Sequence, residues 1–138
     1  MEFAMHATKL IVADVDRMER FYLALGMKLV MRNHGGDGEG ESEVHQQQSW
    51  LTANGTMDEH ILILSQFLDM PTPPRPVYPG EIWPCFRVPD VEAAIATVEA
   101  EGGTVRRRGE NRPEHQVRAC VVQDPEGHTI ELVGPMTE

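Results

Sequence analysis

The chain carries one short pattern twice. The first copy, LIVADVDRMERFYLALGMKLV, runs from Leu10 to Val30, and the second, FRVPDVEAAIATVEAEGGTVR, from Phe86 to Arg106. Setting Asp14 on Asp90, an offset of 90 − 14 = 76, also brings Val12 onto Val88, Val15 onto Val91, Asp16 onto Glu92, Gly26 onto Gly102 and Leu29 onto Val105. The match spans a strand, a helix start, a helix end and the next strand, which composition alone does not produce. A duplicated module constrains the fold more than any single residue does. It also sets the expectation of a ligand site between the two copies.

Each copy reads as β-α-β-β-β. Thr8–Val12 is a short apolar strand leading into Asp14, whose carboxylate suits a helix N-cap. Val15, Met18, Tyr22 and Leu25 recur at helical spacing, and Gly26 supplies a left-handed C-terminal position. Lys28–Arg32 reads as the next strand, and Asn33–Glu43 (NHGGDGEGESE) as a glycine-rich acidic loop. Val44–Ala53 and His60–Ser65 complete the module as strands. A connector with five prolines, Met70–Gly80, follows; prolines cannot join a sheet interior.

The second copy repeats the order. Glu81–Val88 is the expected strand, Asp90 the N-cap, and Val91, Ile95 and Val98 the buried helix face. Gly102 and Gly103 stop the helix, and Thr104–Arg108, Val117–Gln123 and Thr129–Val133 are three further strands. Leu62-Ile63-Leu64 corresponds to Ile130-Glu131-Leu132, an offset of 131 − 63 = 68, so the second copy is eight residues shorter before its last strand. The acidic loop accounts for that difference. The fold class is α+β: one domain over 1–138, made of module 1 (6–68) and module 2 (81–134) joined by the proline-rich segment 70–80.

Composition narrows the function. A length of 138 residues suits one globular unit, and 41% apolar content with 25% charged residues is ordinary for a soluble chain. The net charge of −10 argues against nucleic acid, whose phosphates need a basic face, and mildly favours cationic or neutral ligands. Cys85 and Cys120 are the only cysteines, so no disulfide framework is indicated. No stretch approaches membrane-spanning length, and MEFAMHATKL has no long apolar core of a leader. A cytoplasmic protein with no membrane partner is expected.

Two β-α-β-β-β modules, a D-V-[DE] helix start after a strand and the closing run Asp124-Pro125-Glu126-Gly127-His128-Thr129-Ile130-Glu131-Leu132-Val133 resemble the vicinal oxygen chelate superfamily, also called the glyoxalase/bleomycin resistance/dioxygenase family. The likeness covers about Ala7 to Val133. It implies two tandem βαβββ modules forming a glyoxalase-like half-open barrel with helices outside, and a homodimer, sometimes with exchanged modules. In metal-using members, one residue from the first strand and one from the last strand of each module hold a divalent ion, typically His and Glu in each. Carried over, those positions fall on Ala7, Ile63, Trp83 and Glu131. Only Glu131 is a ligand type, so no cofactor is expected. His6 with Glu131 is the fallback pair for a divalent metal, since a bulge would be needed to turn His6 inward.

Strand alternation then names the side chains expected on the cavity wall: Lys9, Ile11, Ile63, Trp83, Cys85, Arg87 and Glu131. They would give a mostly apolar pocket with an indole, one carboxylate and two cations, the usual make-up of a small-molecule site. Glu131 is the one candidate catalytic residue, as a general base; its bland reading is a carboxylate neutralised by Lys9 or Arg87. Trp83 either stacks on a planar or cationic ligand or fills the space a metal would take. Arg106–Arg108 reads as a solvated strand edge, and His45, His60, His115 and His128 as structural or exposed.

Three functions follow. The first is metal-independent small-molecule binding, of the type found in the family's bleomycin-resistance branch. The second is an enzyme: a metal-dependent lyase, isomerase or dioxygenase of glyoxalase type, or a cofactor-free acid–base catalyst using Glu131. The third is an accessory or dimerisation domain whose cavity is closed by its own side chains. The first is placed ahead of the others, because three of the four family ligand positions cannot coordinate.

Overall fold

The computed structural model describes residues 3–35, 45–74 and 79–138. The chain divides into two compact units, Met1–Pro74 and Arg75–Glu138. In the first, β1 (Ala7–Ile11) leads into α1 (Val15–Leu25), followed by β2 (Lys28–Gly35), β3 (Gln46–Thr52) and β4 (Ile61–Phe67). In the second, β5 (Cys85–Arg87) leads into α2 (Val91–Ala100), followed by β6 (Thr104–Arg112), a short 3-10 turn (Pro113–His115), β7 (Val117–Gln123) and β8 (Thr129–Gly134). The sheet orders are β1-β4-β3-β2 and β5-β8-β7-β6, the same topology twice. In both, the first and last strands pair in parallel and the other neighbours antiparallel.

The duplication holds down to single bonds. Asp14 accepts a 3.1 Å hydrogen bond from the Arg17 amide, and Asp90 accepts one of 3.1 Å from the Ala93 amide. Each carboxylate satisfies one of the unpaired amides at a helix start. Lys9 pairs with Ile63 and Cys85 with Glu131, so the offsets of 76 and 68 read from sequence describe equivalent pairs.

Each helix covers one face of its own sheet. On α1, Val15, Met18, Phe21 and Tyr22 are buried, as are Leu10, Val12, Leu51, Leu62 and Leu64 on the strand side. The Phe21 and Tyr22 rings meet edge to face at 5.0 Å, a favoured aromatic geometry. On α2, Val91, Ala94, Ile95 and Val98 are buried, as are Val122, Ile130 and Leu132. Burying whole aliphatic side chains contributes roughly 1.5–3 kcal/mol each before the entropy of ordering them.

Three element boundaries differ from the expectation by three residues or more. Asn33–Gly35 belongs to β2 rather than to a loop, because it pairs with Gln46–Gln48; the rest of the acidic segment, 36–44, lies outside the described residues. The strand expected over Glu81–Val88 is only Cys85–Arg87, since Pro84 has no N–H to give. Its carbonyl still accepts from the Glu131 amide at 3.0 Å. Strand β6 continues to Arg112, four residues past the expected end at Arg108, with two register shifts on the way. Of the connector, 75–78 lies outside the described residues.

Candidate functional site

The register of the second unit sorts its side chains into rows. Residues directly opposite on neighbouring strands share a face of the sheet. One row reads Arg107, Val121, Glu131, Cys85, and the next reads Glu110, Ala119, Val133, Arg87. Arg112 opposite Val117 begins a third. The alternate residues Val122, Ile130 and Leu132 are buried on the face that α2 covers. On the other face lies a cavity of about 380 Å³, lined by Arg107, Arg112, His115 and Glu131 over Ala119 and Val121.

Its charges are unequally engaged. Arg112 sits 3.4 Å from the Glu110 carboxylate. Neither the Arg107 guanidinium nor the Glu131 carboxylate has a hydrogen bond or ion pair among the described residues. Arg108 turns the opposite way and pairs with Glu99 of α2 at 3.1 Å. Arg118 likewise leaves the cavity face, binding Glu92 of α2 at 2.5 Å and the Gly109 carbonyl at 2.8 Å. Beside Glu131, burial pushes the Cys85 thiol up, with the Glu131 charge adding to it and Arg87 opposing. Cys120 is buried and its pKa is pushed up to about 11, chiefly by desolvation. Neither cysteine is set up as a thiolate nucleophile at neutral pH.

Of the seven side chains expected on the cavity wall, Glu131 lines this cavity. Cys85 and Arg87 share its sheet face, Cys85 directly beside it. Trp83 precedes β5 and is 52% exposed. Lys9, Ile11 and Ile63 belong to the first unit, where Lys9 pairs with Ile63 and Ile11 with Ser65 on one face. Lys9 has no ion-pair partner among the described residues. Within the second unit, Arg87 forms no ion pair with Glu131 among the described residues.

Sequence reasoning missed Arg107, Arg112 and His115. Positions five apart in a regular strand point to opposite faces. Between Arg107 and Glu110 the register advances by two on β7 while β6 advances by three, so β6 bulges by one residue. That extra residue restores Arg112 to the face of Arg107. The signal was Gly109, a glycine in a strand interior, which often marks a bulge.

The face of the first sheet that carries Ile63 and Ser65 holds a chain of polar side chains. Trp50 Nε1 donates to Gln48 Oε1 at 3.0 Å, and Gln48 Nε2 donates to Ser65 Oγ at 3.3 Å and to Gln46 Oε1 at 3.2 Å. Ser65 Oγ in turn donates to Gln46 Oε1. Across from Gln48, Asn33 has a buried side-chain oxygen with no hydrogen bond among the described residues.

The donor set does not fit the metal that the resemblance implies. Ala7 and Ile63 in one unit and Trp83 in the other offer no ligand atom, leaving Glu131. The fallback His6 precedes β1, and its carbonyl accepts from the Ile61 amide at 3.0 Å. From Ala7 to Ile11 the register with β4 is unbroken, so alternation sets His6 on the face of Thr8 and Leu10. Among the described residues no group of three His, Cys, Asp or Glu side chains is placed to hold an ion.

A βαβββ unit repeated twice, each with strand order first-last-third-second, defines a class of duplicated α+β folds. Residues 4–132 match the Glyoxalase/Bleomycin resistance protein/Dioxygenase superfamily, and the chain belongs to it. Among solved structures, a glyoxalase family protein from Bacillus cereus is similar over 99% of this chain and 97% of its own, at 20% identity and a TM-score of 0.81. A glyoxalase I variant from Zea mays is similar over 96% of this chain and 46% of its own, at 18% identity and a TM-score of 0.76. The trypanothione-dependent glyoxalase I of Leishmania major matches over 96% of this chain and 87% of its own, at 20% identity and a TM-score of 0.69. At such identities the likeness speaks to the fold alone. No curated protein matches this chain in sequence. No helix among the described residues is long and apolar enough to cross a membrane.

Proposed function

We propose that the chain is a metal-independent small-molecule-binding protein of this superfamily, acting in the cytoplasm as a homodimer. The donor set carries the reading: of the four positions where metal-using relatives place ligands, Glu131 alone bears a coordinating side chain. Beside it, a cavity of about 380 Å³ offers apolar side chains and a few charged ones, which is what holds and orients a small organic molecule. Sequestration, the role implied by the bleomycin-resistance branch, needs nothing more.

Elemental analysis of untagged protein tests this, with thermal melts in EDTA and in added Ni, Zn, Fe or Mn. The expected result is no stoichiometric metal and no shift in melting temperature. One equivalent of metal, lost to EDTA with a lowered melting temperature, overturns the reading in favour of glyoxalase-like or dioxygenase chemistry. Light scattering on the same sample reads the dimer.

A cofactor-free acid–base enzyme is the second reading, supported by a Glu131 carboxylate with no ion pair among the described residues and a place on the cavity wall. Glu131→Gln separates the two. It abolishes turnover in an enzyme of this kind, whereas in a binding protein it changes affinity and there is no turnover to lose.

A further inference from the structure

We infer that the cavity on the second module's sheet selects a small zwitterion, an amino acid or a short peptide, whose carboxylate binds Arg107 and whose ammonium group binds Glu131. This rests on the reading above that the cavity is a ligand site, and adds the charge pattern of the ligand.

Arg107 and Glu131 line the same cavity from one sheet face, and neither is engaged by another side chain among the described residues. Where no ligand is bound, a charge at a cavity wall is solvated by water. A ligand that displaces this water must replace its hydrogen bonds, because a charge left without them costs far more than a neutral group would. A neutral ligand strands both charges. A cation pairs Glu131 and strands Arg107, and an anion does the reverse. A molecule carrying both signs satisfies both.

The spacing agrees. Val121 lies between the two residues in register, so they stand two strands apart, with Cα atoms about 9–10 Å from each other at roughly 4.7–4.9 Å per strand. That interval accommodates an ammonium and a carboxylate on one small molecule, with a charge-assisted hydrogen bond of about 2.8 Å at each end. Val121 and Ala119 beneath offer apolar contact to its side chain. Glu110 offsets Arg112 at 3.4 Å, so among the described residues Arg107 and Glu131 are the unengaged guanidinium and carboxylate on the cavity wall, while Arg87 on the same face of β5 does not line it. The net charge of −10, which mildly favoured cationic or neutral ligands, is not the charge of this cavity.

The test is titration of metal-free protein at low salt, by calorimetry and thermal melts, with the proteinogenic amino acids and apolar dipeptides. Each is run beside its N-acetyl and its C-terminal amide derivative. At least one zwitterion is expected to bind, and both of its derivatives to bind roughly 10- to 100-fold more weakly. Arg107→Gln should weaken the zwitterion by a similar factor while leaving the amide, which has no carboxylate, unchanged. Glu131→Gln should weaken the zwitterion and leave the N-acetyl form unchanged. A merely structural role for either residue weakens all three forms alike, and that pattern overturns the inference. So does a derivative that binds as tightly as its parent, or a singly charged or neutral compound that binds when no zwitterion does; these leave the cavity as a ligand site. If a parallel set of neutral aromatics, amines and carboxylic acids also fails to bind, the reading of the cavity falls with the inference.

Discussion

The Arg32 guanidinium grips both carboxylate oxygens of Glu19, with two hydrogen bonds of 2.8 Å that tie β2 to the middle of α1. Ser49 Oγ donates a third, also 2.8 Å, so a carboxylate on the buried side of the helix is held from β2 and β3 at once. The Arg32 hydrogen bonds hold the Glu19 carboxyl below the usual carboxylate range, against an opposing push from burial. A depressed folded-state pKa contributes stability that is fully present above the unfolded value of 4.5 and is lost as pH falls through the folded one. Glu19→Gln should therefore cost about 1–3 kcal/mol at neutral pH. That difference should shrink only below about pH 5, where the unfolded carboxyl begins to protonate. Urea titrations of both proteins across acid pH read it, and a difference that stays constant down to pH 3 would contradict the assignment.

Cys85 and Glu131 stand side by side on β5 and β8, and the carboxylate is one reason that the thiol pKa is raised. Glu131→Gln should lower the Cys85 pKa and speed its alkylation by iodoacetamide at fixed pH, since the thiolate is the reactive form. Burial remains the larger cause, so the shift should be partial. Cys120, buried and pushed up to about 11, should react only on unfolding. A pH–rate profile unaltered by the substitution would separate the two side chains electrostatically.

Gly134 closes β8 where the chain passes Val88, and a Cβ there would stand 2.6 Å from the Val88 carbonyl oxygen. Backbone cannot swing aside as a side-chain tip can, so Gly134→Ala should destabilise by about 1–3 kcal/mol through forced displacement of β5 or β8. Thermal melts measure it, and an unchanged melting temperature would mean that the strand gives way freely.

Asp124 is 2% exposed and organises the turn between β7 and β8. Its Oδ1 accepts from the Glu126 and His128 amides at 3.0 Å each, while the His128 ring lies 2.8 Å from Oδ2. Asp124→Ala removes the Oδ1 acceptor that two turn amides share and should cost about 1–3 kcal/mol. Asp124→Asn keeps an oxygen for the amides and should cost less. Equal losses in chemical denaturation would show that charge, not the amide bonds, matters here.

The repeat was legible because it is written in local signals that act at short range. An aspartate N-cap, a 3.6-residue apolar period and a terminating glycine each determine a few residues, and the structure repeats them at Asp14 and Asp90, with positive φ at Gly26 and Gly102. Strand alternation likewise brought Cys85, Arg87 and Glu131 to one face. The cation side of the cavity was missed for a reason of parity, for which Gly109 was the one local sign. One extra residue near Gly109 reverses which β6 side chains face the cavity, and nothing in Arg106–Arg108 itself signals that. The amide network of Gln46 and Gln48 was hidden differently: it depends on pairing with Ser65 across strands, which no periodicity within β3 reveals.

Arg107 and Arg112 share the cavity but not the same circumstances, and that difference is measurable. Arg112 is spent on Glu110 at 3.4 Å, whereas Arg107 has no ion pair among the described residues. A guanidinium already facing a carboxylate has less to give an incoming anion, and exposed pairs of this kind add little to stability. Arg112→Gln should therefore weaken carboxylate-bearing ligands by less than about threefold, against roughly ten- to hundredfold for Arg107→Gln. Removing the competitor should act in the opposite sense: Glu110→Gln frees Arg112 and adds an unengaged cation, so singly charged anions should bind more tightly to that variant than to the parent. Calorimetry with one carboxylic acid across the three variants decides it. Equal losses from both arginine variants would mean that the Glu110 pair opens on binding and that both cations serve the ligand.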